Sequence, residues 1–164
     1  MAGHIGRGRL MKVLGFRGDP KAPRYAIVSE DNGVFTLENA SDDNKLTVPA
    51  SISDEADAER VEWVYREILR IFDEHTDITK VIIKQNEFTR QDTLAKRRSA
   101  YNDAAVILAC SLRGIPVELK LYTSISTTSS DTKRHAESRV GKTDKYWDTK
   151  MADAVNAAWW GLRH

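Results

Sequence analysis

Basic side chains occur in two groups that could bind phosphate. The first lies near the beginning of a predicted helix and the second precedes the last predicted helix. Their members are Arg90, Lys96, Arg97 and Arg98 in the first group, and Lys142 and Lys145 in the second. Such cations neutralise the phosphates of a nucleic-acid backbone, although the same charges also occur on solvated helix faces. Tyr146 and Trp147 follow the second group and could either stack on bases or pack inside the protein.

Bulk composition restricts the classes of protein that come into question. The 164 residues include 25 basic and 24 acidic ones, which leaves a net charge of +1, and 41% of the residues are hydrophobic. These values are typical of a globular chain long enough for one domain, so any cationic surface must be local. We expect a single domain over residues 11–164. Residues 1–10 are rich in Gly and Arg and are expected to be a disordered arm or a cloning remnant.

Cysteine content and hydropathy exclude further classes. Cys110 is the only cysteine, so neither an intramolecular disulfide nor a cysteine-rich zinc site can form. Because Cys110 lies in an apolar stretch, we expect it to be buried. No apolar run approaches the ~20 residues that a membrane-spanning helix needs, and no signal-peptide core is recognisable at the N-terminus. A cytoplasmic location without membrane contact is therefore expected.

Three further kinds of site are excluded because their residues lack the required identity or spacing. Gly141-Lys142-Thr143 resembles the end of a phosphate-binding loop, but position 136 is Ala where that loop requires Gly. The four histidines have no ligand spacing, and the Ser- and Thr-rich stretch at 123–130 has no His-Asp arrangement that would activate a nucleophile. We predict no ATP site, no histidine metal site and no hydroxyl nucleophile.

Hydrophobic patterning predicts a mixed α/β domain. Asp31-Asn32-Gly33 predicts a tight hairpin, because Asn and Gly tolerate positive φ, and Ser53 is expected to begin the first helix. Gly114 is expected to end the second helix. The predicted elements are strands at 12–17, 24–30, 34–38, 80–84 and 116–121, and helices at 53–72, 92–113, 131–140 and 148–162. A loop is expected at 123–130, and the strand at 80–84 is expected to be central because its middle is continuously apolar.

Four short motifs follow one another in a characteristic order. They are Val13-Leu14-Gly15-Phe16-Arg17 with Gly18-Asp19-Pro20, then Val81-Ile82-Ile83-Lys84-Gln85, then Gly114-Ile115-Pro116-Val117, and last Lys150-Met151-Ala152-Asp153-Ala154. In this order they resemble the RuvC-type Holliday-junction resolvases over most of residues 11–162. The resemblance implies the ribonuclease H-like α/β fold, a mixed five-stranded sheet flanked by helices, and it also implies a homodimer.

The resemblance also implies where a metal centre would lie. Such enzymes hold two divalent cations with four carboxylates and use them for phosphodiester cleavage. Here these positions are Arg17, Lys84, Lys150 and Asp153, so that their net charge is +2 and only one carboxylate remains. Amines supply none of the oxygen ligands that Mg²⁺ needs. We therefore expect a degenerate centre without metal or catalytic residues, in which the three cations bind phosphate and Asp153 forms an ion pair.

Two alternatives accompany this hypothesis. A shifted register would make Asp19, Glu87 and Asp153 the ligands of Mg²⁺ in an active endonuclease or resolvase, so enzymatic activity is uncertain. A nuclease fold without activity could also serve only as a protein-interaction module. The preferred prediction is a protein that binds DNA, RNA or a partner protein without cleavage.

Overall fold

A mixed five-stranded sheet forms the middle layer of the structure, a computed structural model that describes residues 10–164. The strands are β1 (Met11–Arg17), β2 (Arg24–Asp31), β3 (Val34–Leu37), β4 (Ile78–Lys84) and β5 (Val117–Lys120). Their spatial order is β3-β2-β1-β4-β5, with β1, β4 and β5 parallel and the β1–β2 and β2–β3 pairs antiparallel. The predicted mixed sheet is confirmed, and β4 is an interior strand covered on both sides by neighbours, although β1 and not β4 occupies the middle of the sheet. The arm predicted at residues 1–10 lies outside the described residues except for Leu10.

Four helices cover the two faces of the sheet. They are α1 (Asp57–Glu74), α2 (Leu94–Arg113), α3 (Thr132–Arg139) and α4 (Thr149–Arg163). Because side chains alternate along a strand, Leu14 and Phe16 of β1 pack with α1 and α2, whereas Val13 packs with α4 on the other face. Cys110 is buried in the first of these two cores, as predicted. None of the helices within residues 10–164 is long and apolar enough to cross a membrane.

Glycine at position 15 lets α4 lie directly on β1. A Cβ built at Gly15 would stand 1.9 Å from the carbonyl oxygen of Ala154 and 2.8 Å from the nitrogen of Ala158, so any side chain here would collide with the helix backbone. The facing surface of α4 is rich in alanine, which permits the same close approach. This contact fixes the height and rotation of α4 and thereby positions Asp153.

Local signals placed most element ends correctly. Asn32 and Gly33 have φ values of 52° and 80° in the predicted hairpin, and Gly114 ends α2 with φ 65°. The prediction that Ser53 begins α1 is wrong. The helix starts at Asp57, because the residues after Pro49 form successive turns in which the carbonyl of Ser53 accepts a hydrogen bond from Ala56.

The Ser- and Thr-rich stretch also differs from its prediction. The loop expected at 123–130 begins as a short 3₁₀ helix at Tyr122–Ile125, directly after β5. The side chain of Ile125 is fully buried and anchors this turn. As a result, Tyr122 is held at the end of the parallel strands.

Candidate nucleic-acid interface at the ends of the parallel strands

The ends of β1 and β4 bring together three of the four positions implied by the resemblance. Arg17 and Lys84 are the last residues of their strands and are direct partners in the parallel register. From α4, Asp153 reaches the same place, where its Oδ2 accepts a hydrogen bond from Arg17 Nε at 3.1 Å. The ion pair predicted for Asp153 is thus confirmed. Lys150, one helical turn earlier, bonds to Asp19 instead.

Both oxygens of the Asp153 carboxylate have donors from the protein. In addition to Arg17, the hydroxyl of Tyr122 donates to Oδ2 at 2.9 Å, and the hydroxyl of Thr132 donates to Oδ1 at 2.9 Å. Asn156 donates to Thr132 and orients that hydroxyl. Burial raises the pKa of Asp153, while these donors and the nearby cations oppose the rise. The carboxylate is therefore fixed as an acceptor inside the fold.

Lys84 lies behind the surface of the site. Its side chain has 0% exposure, its Nζ lies 3.0 Å from Glu87 Oε2, and the same nitrogen lies 3.9 Å from the centre of the Tyr122 ring. Burial lowers the pKa of Lys84, and the bond to Glu87 opposes that effect. Because Glu87 and Tyr122 cover the ammonium, direct contact between Lys84 and a phosphate would require one of them to move.

Asp19 closes the turn that follows β1. Its Oδ2 accepts hydrogen bonds from the backbone N–H groups of Lys21 and Ala22 at 3.0 and 2.8 Å, and its Oδ1 contacts the ammonium of Lys150. Burial would raise the pKa of Asp19, but these bonds outweigh it and hold the pKa below its ordinary value. Asp19 thus stabilises the turn through its backbone hydrogen bonds and also forms an ion pair.

Asp103 is a buried carboxylate at this centre that sequence reasoning missed. It is only 4% exposed, and its Oδ1 finds no hydrogen-bond donor among residues 10–164. Burial raises the pKa of Asp103 to about 7, against the opposing effects of Arg17 and Lys84. A usable signal was present: Ser99, Asn102 and Asp103 are polar residues at the spacing of the buried face of α2.

The local charge corrects the prediction of a strongly cationic centre. The value of +2 counted only the four positions implied by the resemblance. The structure adds Asp19, Glu87 and Asp103, so that three cations stand beside four carboxylates. The physical reason is that a buried charge is costly unless it is paired, and the partners come from segments outside the motifs.

The first predicted basic group lies on the connection before α2 and on the first turns of that helix, and the second lies on the connection before α4. Arg90 and Lys145 are exposed, and neither has an ion-pair partner within the described part of the chain. The other members contact neighbours: Arg97 pairs with Asp92 and Arg98 with Asp57, Lys142 lies 3.8 Å from Glu137, and Lys96 bonds to the Thr89 hydroxyl. Nucleic-acid contacts by these residues stay a prediction.

The two aromatic residues next to Lys145 differ in exposure. Trp147 is partly buried against the core formed by α3 and α4, which favours the packing interpretation. Tyr146 is exposed, and the ammonium of Lys45 lies 4.4 Å from its ring centre. Of the pair, Tyr146 presents more surface to an incoming base.

The donors at the four implied positions do not fit a pair of divalent cations. Three of the side chains end in nitrogen cations, and the single carboxylate already accepts three hydrogen bonds. For the alternative set, each of Asp19, Glu87 and Asp153 contacts a different cation. No three acidic, His or Cys side chains in residues 10–164 are grouped so that they could hold a metal ion together.

Solved structures share this fold. Thermus thermophilus RuvC, both in complex with Holliday junction substrate and in a second structure, aligns over 93% of this chain and 93% of its own. The TM-scores are 0.74 and 0.73, at 16% and 18% identity. The yeast mitochondrial Holliday junction resolvase aligns over 93% of this chain and 79% of its own, with a TM-score of 0.58 at 13% identity. No protein-family profile and no curated protein matches the sequence. The predicted ribonuclease H-like, RuvC-like fold is confirmed.

Proposed function

We propose that this chain is a nuclease-fold protein that binds nucleic acid without cleaving it. The observation that carries the absence of cleavage is the pair of cations at the ends of β1 and β4, held in place by Asp153 and Glu87. The nitrogen cations at these two positions offer a divalent cation no oxygen ligand, and the carboxylates beside them already bond to these cations. Metal-dependent cleavage therefore has no support from these side chains.

Nucleic-acid affinity would come from exposed basic residues on the connections before α2 and α4. Arg17 and Lys84 form ion pairs with buried or neighbouring carboxylates. Arg90 and Lys145 are exposed and have no ion-pair partner within residues 10–164. One of the matched solved structures holds a Holliday junction, and it covers nearly the whole of this chain. A branched or duplex DNA is accordingly the first ligand to test, with RNA as the second.

A second candidate function is protein interaction through the outer face of α2. Leu94, Tyr101, Leu108 and Leu112 are exposed apolar residues at spacings of seven, seven and four, which place them near one another along the helix surface. An exposed apolar stripe favours contact with a partner or a second copy. This candidate and nucleic-acid binding are compatible.

The experiment is a fluorescence-anisotropy titration of labelled junction, duplex, single-stranded and hybrid substrates at several salt concentrations. We expect affinity to fall steeply with salt, and the slope of log affinity against log salt to decrease by about 1 for each of Arg90→Gln and Lys145→Gln. Arg66→Gln, an exposed arginine on α1, is the matched control and should keep the slope. The absence of any salt-dependent binding would refute the proposal and leave the interaction candidate.

A cleavage assay on the same substrates separates the remaining alternative. We expect no cleavage with Mg²⁺ or Mn²⁺. Metal-dependent cleavage that disappears in Glu87→Gln would instead establish an active site built from the relocated carboxylates.

A further inference from the structure

A cavity of about 300 Å³ adjoins the ion-paired centre at Asp19, and basic side chains line it. Its walls come from the β1–β2 connection, the turns before α1, the first turn of α1 and the beginning of α2. The charged residues in these walls are Lys21, Arg60 and Arg98, with Asp19 and Asp54. We propose that this cavity is a binding site for a phosphate group.

Two guanidinium groups in the cavity wall share a single carboxylate. Arg60 and Arg98 both bond to Oδ1 of Asp57, the latter through Nε at 3.2 Å. One carboxylate neutralises only one of these two positive charges. The acidic residues of the wall do not supply the missing charge, because Asp19 is paired with Lys150 and Asp54 with Lys21. A positive charge therefore remains at the cavity.

Arg60 also has a hydrogen-bond donor without an acceptor. The residue is 3% exposed; its NH1 donates to the carbonyl of Asp54 at 3.0 Å, but its Nε is buried and finds no acceptor within residues 10–164. A buried donor left unpaired costs about 1–3 kcal/mol. Because this nitrogen has almost no accessible surface, an oxyanion in the cavity would supply the missing acceptor only after the Arg60 side chain turns toward it.

The chemistry of the wall favours a tetrahedral oxyanion. Guanidinium groups bind paired phosphate oxygens, and the exposed ammonium of Lys21 can reach a further oxygen as a point charge. In the described hydrogen bonds of Arg98 only Nε takes part, so its two terminal nitrogens are available. Two guanidinium groups and one ammonium thus surround a space for one phosphate group.

The surroundings favour the phosphate of a longer chain over a free ion. A second cavity of about 520 Å³ shares Lys21, Asp54 and Arg60 with the first and adds Lys45, so the two cavities are neighbours with a common wall. Asp19, two residues after the end of β1, lines the first cavity, so this cavity lies beside the strand end at which Arg17 pairs in register with Lys84. This choice of ligand source rests on the proposed function, in which a nucleic-acid strand lies across that strand end.

The first test titrates inorganic phosphate into the protein and follows the arginine Nε–Hε resonances by NMR. We expect a saturable shift of the Arg60 resonance, and about tenfold weaker phosphate binding in Arg98→Gln and in Lys21→Gln. Arg66→Gln is the control and should bind phosphate as the wild type does. A wild-type protein whose Arg60 resonance does not respond, or an equal loss in the control, would overturn the proposal.

The second test repeats the anisotropy titration with Arg98→Gln. Weaker binding of the oligonucleotide would identify the ligand as a backbone phosphate. Unchanged oligonucleotide binding, together with phosphate binding that Arg98→Gln weakens, would identify free phosphate as the ligand of the same site. If the wild type binds phosphate but no oligonucleotide, the proposed function fails while the phosphate site stands.

Discussion

Replacing Asp103 by asparagine should make the stability of the protein less sensitive to pH. Asp103 is 4% exposed, has a carboxylate oxygen without a donor in the described residues, and has a pKa raised by burial to about 7 from an ordinary value of 3.8. Because the carboxyl is so deeply buried, solvent screens it little. Asparagine has nearly the same shape and does not ionise.

The sign and size of the effect follow from the two pKa values. Below about pH 4, Asp103 is protonated in both the folded and the unfolded chain and imposes no penalty. As the pH rises from there to about 7, the unfolded chain releases the proton and the folded protein retains it, so the free energy of unfolding decreases. A difference of about three pKa units corresponds to a decrease of about 4 kcal/mol.

Urea unfolding followed by tryptophan fluorescence measures this effect between about pH 4 and pH 8. We expect the free-energy difference between Asp103→Asn and wild type to grow in favour of the variant over this range and to level off above about pH 7. A constant offset would reflect packing alone. Asp92→Asn, at an exposed ion-paired carboxylate, is the control and should follow the wild-type profile closely. Parallel profiles for Asp103→Asn and wild type would refute the reasoning.

Three other substitutions test the remaining features of the fold and the site. Gly15→Ala places a methyl group against the α4 backbone and should lower the free energy of unfolding by about 3 kcal/mol or more, as measured by urea unfolding; wild-type stability would contradict the close packing of β1 and α4. Tyr122→Phe keeps the aromatic ring but removes the hydroxyl bond to the buried carboxylate of α4, so it should lower the free energy of unfolding by about 1–3 kcal/mol. Tyr146→Phe, at an exposed position, should leave the free energy of unfolding nearly unchanged. Leu108 and Leu112 are 60% and 62% exposed, so replacing both by serine should leave the free energy of unfolding within about 0.5 kcal/mol of wild type. If the wild type self-associates, the double variant should do so less in sedimentation experiments. Equal sedimentation of the variant and a self-associating wild type would exclude this face as the interface.

Much of the site was predictable where it depends on residues at strand ends. Arg17 and Lys84 close two apolar strand patterns, and the resemblance in motif order correctly placed them beside Asp153. Their partners were harder to predict. Tyr122 and Thr132 lie on either side of the stretch predicted as a loop, and they reach Asp153 from the 3₁₀ turn after β5 and from the first residue of α3, respectively.

The net charge of the centre was also only partly predictable from the sequence. Sequence reasoning assigned it +2, since only the motif positions could be summed. The structure brings Asp19, Glu87 and Asp103 to the same place, and Lys84 is enclosed instead of exposed. Burial of charge demands compensation, but which carboxylate supplies it depends on the packing of separate elements.

The element order, the hairpin at Asn32-Gly33 and the end of α2 at Gly114 can be predicted from local patterns, because they depend on side-chain alternation and on local φ preferences. Which charges meet depends instead on the three-dimensional packing of distant elements. Arg17 and Asp153 are 136 residues apart in the chain, and Asp19 and Lys150 are 131 apart. Both ion pairs join α4 to the end of β1 or to the turn after it, so they depend on the close packing of α4 against Gly15. No local sequence pattern encodes them.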